Sequence, residues 1–147
     1  MKTRKIIVAS ASILIGTTAL AHQGATGIVR ERMDLMLDIG AQMKTVSQML
    51  RGQVTYDADA AQAAMMQIQT HASVLPDMFP KGSGAMLSEA SPAIWEDPTG
   101  FNAIFTELAS AANAAAAAAS DPAELAVAFG RVAKTCTSCH EGYRIAR

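Results

Sequence analysis

No stretch of this 147-residue chain alternates apolar and polar residues for the length of a strand. Its apolar residues recur instead at steps of three and four, in four separate blocks, the spacing that puts side chains along one face of a helix. In the first block, from about residue 26 to 51, Met36, Ile39, Gly40, Met43, Val46 and Leu50 share a face, with Arg32 one turn before Met36 on the same side. Gly52 breaks that run. Asp57 stands where it can cap a second helix with the stripe Ala61, Ala64, Met65, Ile68 and Ala72, and Pro76 ends it. A third helix is predicted from about Gly100 to Ala119, through Phe101, Ile104, Phe105 and Leu108 into an alanine run. Alanine is the strongest helix former, and its small side chain lets a neighbour come close. Asp121-Pro122-Ala123-Glu124 opens the fourth helix with Asp at the N-cap, Pro at the first helical position and Glu at N3. That helix carries Leu125, Phe129, Val132 and Ala133 and is predicted to run on to the end of the chain.

Between the second and third blocks, Pro76, Pro80, Gly82, Gly84, Pro92 and Pro98 punctuate the one long irregular stretch. Loops of that length are uncommon in compact domains and usually act as functional crossovers. Trp95 within it is expected to anchor the loop against the helices. Four helices joined by short, long and short connections predict an all-α, antiparallel four-helix bundle, whose interior can hold a cofactor.

The N-terminus is expected to be a removable export signal. Lys2, Arg4 and Lys5 precede an uncharged run from Ile6 to Ala21 that ends Ala19-Leu20-Ala21, the small-x-small pattern read by signal peptidase. The run is shorter than the roughly 20 apolar residues that span a bilayer. The boundaries are therefore 1–21 for the signal peptide and 22–147 for a single domain, with no stable membrane insertion after cleavage. Loss of the three basic residues reduces the 12 Lys and Arg to nine against 13 Asp and Glu, a net charge of −4. That balance argues against nucleic acid as a partner. Export points to the periplasm, an oxidising compartment where two cysteines could simply pair.

Those cysteines stand in Cys136-Thr137-Ser138-Cys139-His140. On a helix the three reactive side chains share a face. Two thiols one turn apart can reach the two vinyl groups of one porphyrin, while the adjacent imidazole reaches the iron from the same side. Cys-x-x-Cys-His is the attachment signal for one covalent haem c and its iron. A thioredoxin-like dithiol would need a βαβ context that the chain lacks. A zinc site would need four ligands, and only His22 and His71 remain beyond the segment. A plain disulfide stays open. Seven residues follow His140, so a second axial ligand has to come from upstream.

The segment Cys136 to Arg144, with its C-terminal position and its Tyr143-Arg144 pair, resembles the C-terminal signature of the class II c-type cytochromes, the cytochrome c′ family with its low-spin relatives. Arg32-Met33-Asp34-Leu35-Met36 is similar to the family's first-helix segment, Gly52 to Asp57 to its turn into the second helix, and Leu75–Pro80 with Pro92–Trp95 to its crossover loop. The resemblance implies thioethers at Cys136 and Cys139 and His140 as proximal ligand. It also implies Arg32 on a haem propionate, Arg144 as a basic group near the proximal face, and Met36 at the distal position. High-spin members leave the sixth site empty behind an apolar side chain, whereas low-spin members ligate iron with a methionine from this helix. Leu35-Met36 with Asp38 and Gly40 looks like the low-spin pattern.

The resulting expectation is a periplasmic monohaem cytochrome in electron transfer, served by periplasmic redox partners and, as the family often is, a homodimer through its first two helices. The alternative is a five-coordinate haem protein that binds or sequesters small gases such as nitric oxide. No general-base constellation is visible, so an enzyme is not expected. Protein produced with haem-maturation machinery should keep its haem through acid–acetone extraction, and replacing both Cys136 and Cys139 by Ser should abolish that retention; a colourless wild type would refute covalent attachment.

Overall fold

The computed structural model describes residues 25–84 and 88–145. The predicted signal peptide lies outside the described residues. Four long helices form: α1 (Gly27–Leu50), α2 (Ala58–Val74), α4 (Pro98–Ala117) and α5 (Pro122–Tyr143), with a short α3 (Ala93–Glu96) in the crossover. Among the described residues there is no strand, only an isolated antiparallel bridge between Ala90 and Arg144. No helix among them is long and apolar enough to cross a membrane.

The helix ends follow the local chemistry of the sequence. At the end of α1, Gly52 takes φ +67°, and its N–H and that of Gln53 reach back to the carbonyls of Met49 and Gln48. This is the Schellman arrangement that glycine permits without a Cβ penalty. Asp57 accepts from Ala60 N–H at the start of α2, Asp97 from Gly100 N–H at the start of α4, and Asp121 from Ala123 and Glu124 N–H at the start of α5. Two expectations are corrected at the edges. The chain does not turn irregular at Pro76, because Leu75–Met78 continues as a 3₁₀ turn in which proline's missing N–H costs nothing. The last helix does not reach the chain end: it stops at Tyr143, and Arg144 is extended because it pairs with Ala90.

The bundle packs in the order α1–α2–α4–α5, with α2 against α4 the most extensive interface and α1 making no extended contact with α5. Small residues explain the first point. Ala61, Ala64 and Ala72 of α2 and Ala112, Ala115 and Ala116 of α4 are all buried, and interaxial distance follows the size of the side chains at the contact. Met65, Ile68, Leu125 and Val132 complete this core with no exposed surface, each contributing about 1.5–3 kcal/mol on burial. The principal polar link between α1 and α2 is His71, buried at 8% exposure, whose Nε2 lies 2.6 Å from Asp38 Oδ2. Hydrogen bonds from His71 and then Gln42 hold the Asp38 carboxyl below the usual carboxylate range.

The crossover folds back over one end of the bundle. Phe79 meets Phe101 edge-on at 4.8 Å, Phe101 meets Phe105 at 5.1 Å, and Tyr143 closes on Phe101 at 5.2 Å. Trp95 packs against the core as expected, and within the crossover it donates its Nε1–H to the carbonyls of Phe79 and Pro80. Gly100 is required by close approach: a Cβ there would lie 2.1 Å from Asp97 Oδ2 and 2.8 Å from the Tyr143 hydroxyl. Gly130, on the exposed side of α5, has nothing within 4 Å of such a Cβ. Gly100→Ala should therefore lower the denaturation midpoint of the holoprotein by expelling the Asp97 cap, while Gly130→Ala should stabilise by about 0.5–1 kcal/mol; equal effects of the two would refute the steric reading.

Candidate haem site

Between α1 and α5, the pair that does not close, lies a cavity of about 720 Å³. That size is ordinary for a pocket holding a cofactor. Its α1 wall is Arg32, Met33, Met36, Leu37, Ile39 and Gly40; α4 contributes Phe101, Ile104, Phe105 and Leu108; α5 contributes Thr135, Cys136, Cys139, His140 and Tyr143. The crossover closes one end with Phe79, Ser88, Glu89, Ala90 and Ile94, beside Arg144. All six residues singled out in the sequence thus line one cavity: Cys136, Cys139, His140 and Arg144 on one side, Arg32 and Met36 on the other.

The donor set suits a covalent haem. Cys136 and Cys139 are free, half-buried thiols on successive turns of one helix. Before a haem is attached, burial pushes both thiols up, Cys139 to about 11 with help from neighbouring Cys136. Burial, and then the charge of Arg144, lowers the pKa of His140, with Glu89 opposing. A lowered value leaves the imidazole neutral at pH 7, with a lone pair for iron. On the facing wall Gly40 opens space one turn after Met36, since a Cβ there would meet nothing within 4 Å.

Arg32 departs from an ordinary surface arginine. It is 5% exposed. Its Nη1 donates to Met78 O (3.3 Å) and Ser83 Oγ (3.4 Å), its Nη2 to Ser83 O (3.1 Å) and Ser88 Oγ (2.8 Å), and the guanidinium stands 4.3 Å from the Phe79 ring centroid. All these partners are neutral; among the described residues no carboxylate pairs with it. Burial accordingly lowers its pKa. A buried cation with only neutral partners is costly unless an anion completes the site, and this one lines the cavity where a carboxylated cofactor fits.

Arg144 is held differently. Its Nε donates to Glu89 Oε2 at 2.7 Å on the half-exposed rim of the cavity. Glu89, Ser88 and Tyr143 carry contacts that periodicity could not reveal. Tyr143 donates to Asp97 Oδ2 at 2.9 Å, tying the last turn of α5 to the first of α4. Asp97-Pro98 repeats the Asp121-Pro122 cap signal, so Asp97 was within reach of sequence reasoning; Glu89 carried no such signal.

A bundle opened between its first and last helices, with two thiols and an imidazole on one wall of the opening, is the architecture of a C-terminally attached haem protein. The family model described as Cytochrome C′ matches residues 27–144. The chain is 34% identical over 142 residues to cytochrome c-556 of Agrobacterium fabrum, covering 96% of this chain and 97% of that one. The solved structure of cytochrome c′ from Rhodopseudomonas palustris superposes with a TM-score of 0.79 at 31% identity, covering 84% of this chain and 99% of that one. A nitric oxide complex of a mutant cytochrome c′ from Alcaligenes xylosoxidans matches with a TM-score of 0.74 at 26% identity, over 81% of this chain and 94% of that one. The chain belongs to the cytochrome c′ family. It is a monohaem c-type cytochrome with one covalent haem c and its iron, in the expected four-helix bundle.

A group that fills so much of the interior should stabilise the native state by linkage. The doubly substituted Cys136→Ser, Cys139→Ser protein, prepared free of haem, should be substantially less helical than the holoprotein and melt lower; superimposable far-ultraviolet circular dichroism and melting curves would count against the cavity as the haem site.

Proposed function

We propose that this protein is a periplasmic electron carrier and not an enzyme, delivered by loss of residues 1–21. In it Cys136 and Cys139 hold the haem, His140 is the proximal ligand and Met36 the distal one. The observation that carries this reading is that Met36 and His140 line the same cavity from opposite walls, α1 and α5. A histidine–methionine iron centre exchanges one electron, and the thioether raises its reduction potential. The chain's own residues supply the rest. Neutral His140 would offer its lone pair, the four α4 side chains would exclude water, and Arg32 would donate to a propionate. Arg144, four residues past His140, is a basic group near the proximal face, held by Glu89. Exposed Met66 on α2 supports a homodimer through the first two helices.

The second reading, five-coordinate iron that binds small gases, is favoured by the apolar distal wall and by the nitric oxide complex of the Alcaligenes relative. Met36→Leu separates the two, because leucine keeps nearly the same volume without a donor atom. The substitution is expected to convert low-spin iron to high-spin, accelerate carbon monoxide binding to the ferrous form and lower the reduction potential. A wild type that is already high-spin, with spectrum and potential unmoved by Met36→Leu, would make Met36 a lid and put gas binding first.

A further inference from the structure

The two helices that carry Met36 and His140 share no extended interface. Through the bundle, the path from one to the other crosses α2 and α4. A much shorter path runs through the crossover. On the α1 side, Arg32 Nη2 donates to Ser88 Oγ at 2.8 Å, and the same oxygen accepts from Ala90 N–H at 3.1 Å. Ser88 thereby joins the guanidinium to the turn that presents Ala90. On the α5 side, Ser91 N–H donates to Tyr143 O at 3.0 Å, Ile145 N–H to Glu89 O at 2.8 Å, and Arg144 Nε to the Glu89 carboxylate. Arg32 stands four residues before Met36 and Arg144 four after His140. Arg32 is therefore about 6 Å of helical rise from Met36, and Tyr143, the last residue of α5, about 4.5 Å from His140.

We infer that the segment Ser88–Ser91 is the strap that sets the span between α1 and α5, with Ser88 and Glu89 as positioning residues that determine whether the Met36 thioether reaches the iron. The inference rests on Met36 being the distal ligand. A coordinate bond tolerates little change in length, whereas a helix released at one end can drift outward without unfolding. The Ser88 hydroxyl is buried and bonded to a charged donor, so its bond is the stronger latch. The Glu89–Arg144 pair is partly exposed and weaker, but it closes the two backbone bonds beside it.

The test uses haem-loaded protein carrying Ser88→Ala, Glu89→Gln and both together. Tyr56→Phe is the control: it removes a tertiary bond, Tyr56 hydroxyl to Ala119 O, outside the crossover. Spin state, carbon monoxide binding rate and reduction potential are read on each. In parallel, spin labels on Glu31→Cys and Glu141→Cys report the α1–α5 distance, the haem-bound cysteines being closed to the label. The strap variants should gain a high-spin fraction, bind carbon monoxide several-fold faster and show a longer or broader distance distribution at unchanged helicity, with the double variant strongest. Tyr56→Phe should do none of this. Wild-type spin state, rate and distance in all three strap variants would overturn the inference, as would equal changes in Tyr56→Phe. If Ser88→Ala does not assemble, the milder Glu89→Gln decides by the same readings. If the wild type is high-spin and indifferent to Met36→Leu, the ligation reading fails by itself; the distance then decides the strap, and an unchanged distance refutes it.

Discussion

The alanine-lined contact between α2 and α4 governs the rest of the molecule. Ala61, Ala64, Ala112 and Ala115 are buried on the two helices that pack most extensively, and α1 and α5 each lean on that central pair without closing on each other. The space left over lies between those outer two. Gly40 of α1 leaves part of that space open, since a Cβ there would meet nothing within 4 Å. A flat apolar group completes a core that is otherwise unfinished.

Charge is arranged with the same economy. The α4 wall of the cavity is apolar, the α5 wall carries the two thiols and the imidazole, and the permanently charged side chains that line it are Arg32, Glu89 and Arg144, with Glu89 supplied by the crossover. Arg32 is kept in place by neutral carbonyl and hydroxyl oxygens and by the Phe79 ring, so its charge remains largely uncompensated by protein. In a low-dielectric site an uncompensated cation acts over several ångströms. An acidic group on a cofactor lying in the cavity would complete its pairing.

Much of this was legible in the residues themselves. The four helices, the caps at Asp57 and Asp121 and the stripe Ala61, Ala64, Met65, Ile68 and Ala72 follow from periodicity and cap chemistry, which act over a few residues. The reactive wall was legible because Cys136, Cys139 and His140 lie within one helical turn or so. The burial of Arg32 was not, because its partners Met78, Ser83 and Ser88 come from a loop 46 to 56 positions away. Likewise the pairing of Arg144 with Glu89, 55 positions apart, ends α5 where local propensity would have continued it. Long-range polar contacts made by an irregular loop leave no periodic trace.

The bond between His71 and Asp38 bears on a degree of freedom that distances alone do not describe, the rotation of α1 about its own axis. Successive residues turn a helix by about 100°, so Asp38 and Met36, two positions apart, project about 200° from each other. One faces α2 while the other faces the cavity. Anchoring Asp38 to a buried imidazole therefore fixes the azimuth at which Met36 is presented, much as a keyway fixes a shaft. Roll of α1 by a single residue's worth would swing Met36 out of the cavity, leaving Leu35 or Leu37 nearest the opening. The angular setting of α1 is thus held from its far side, by a contact that never touches the cavity.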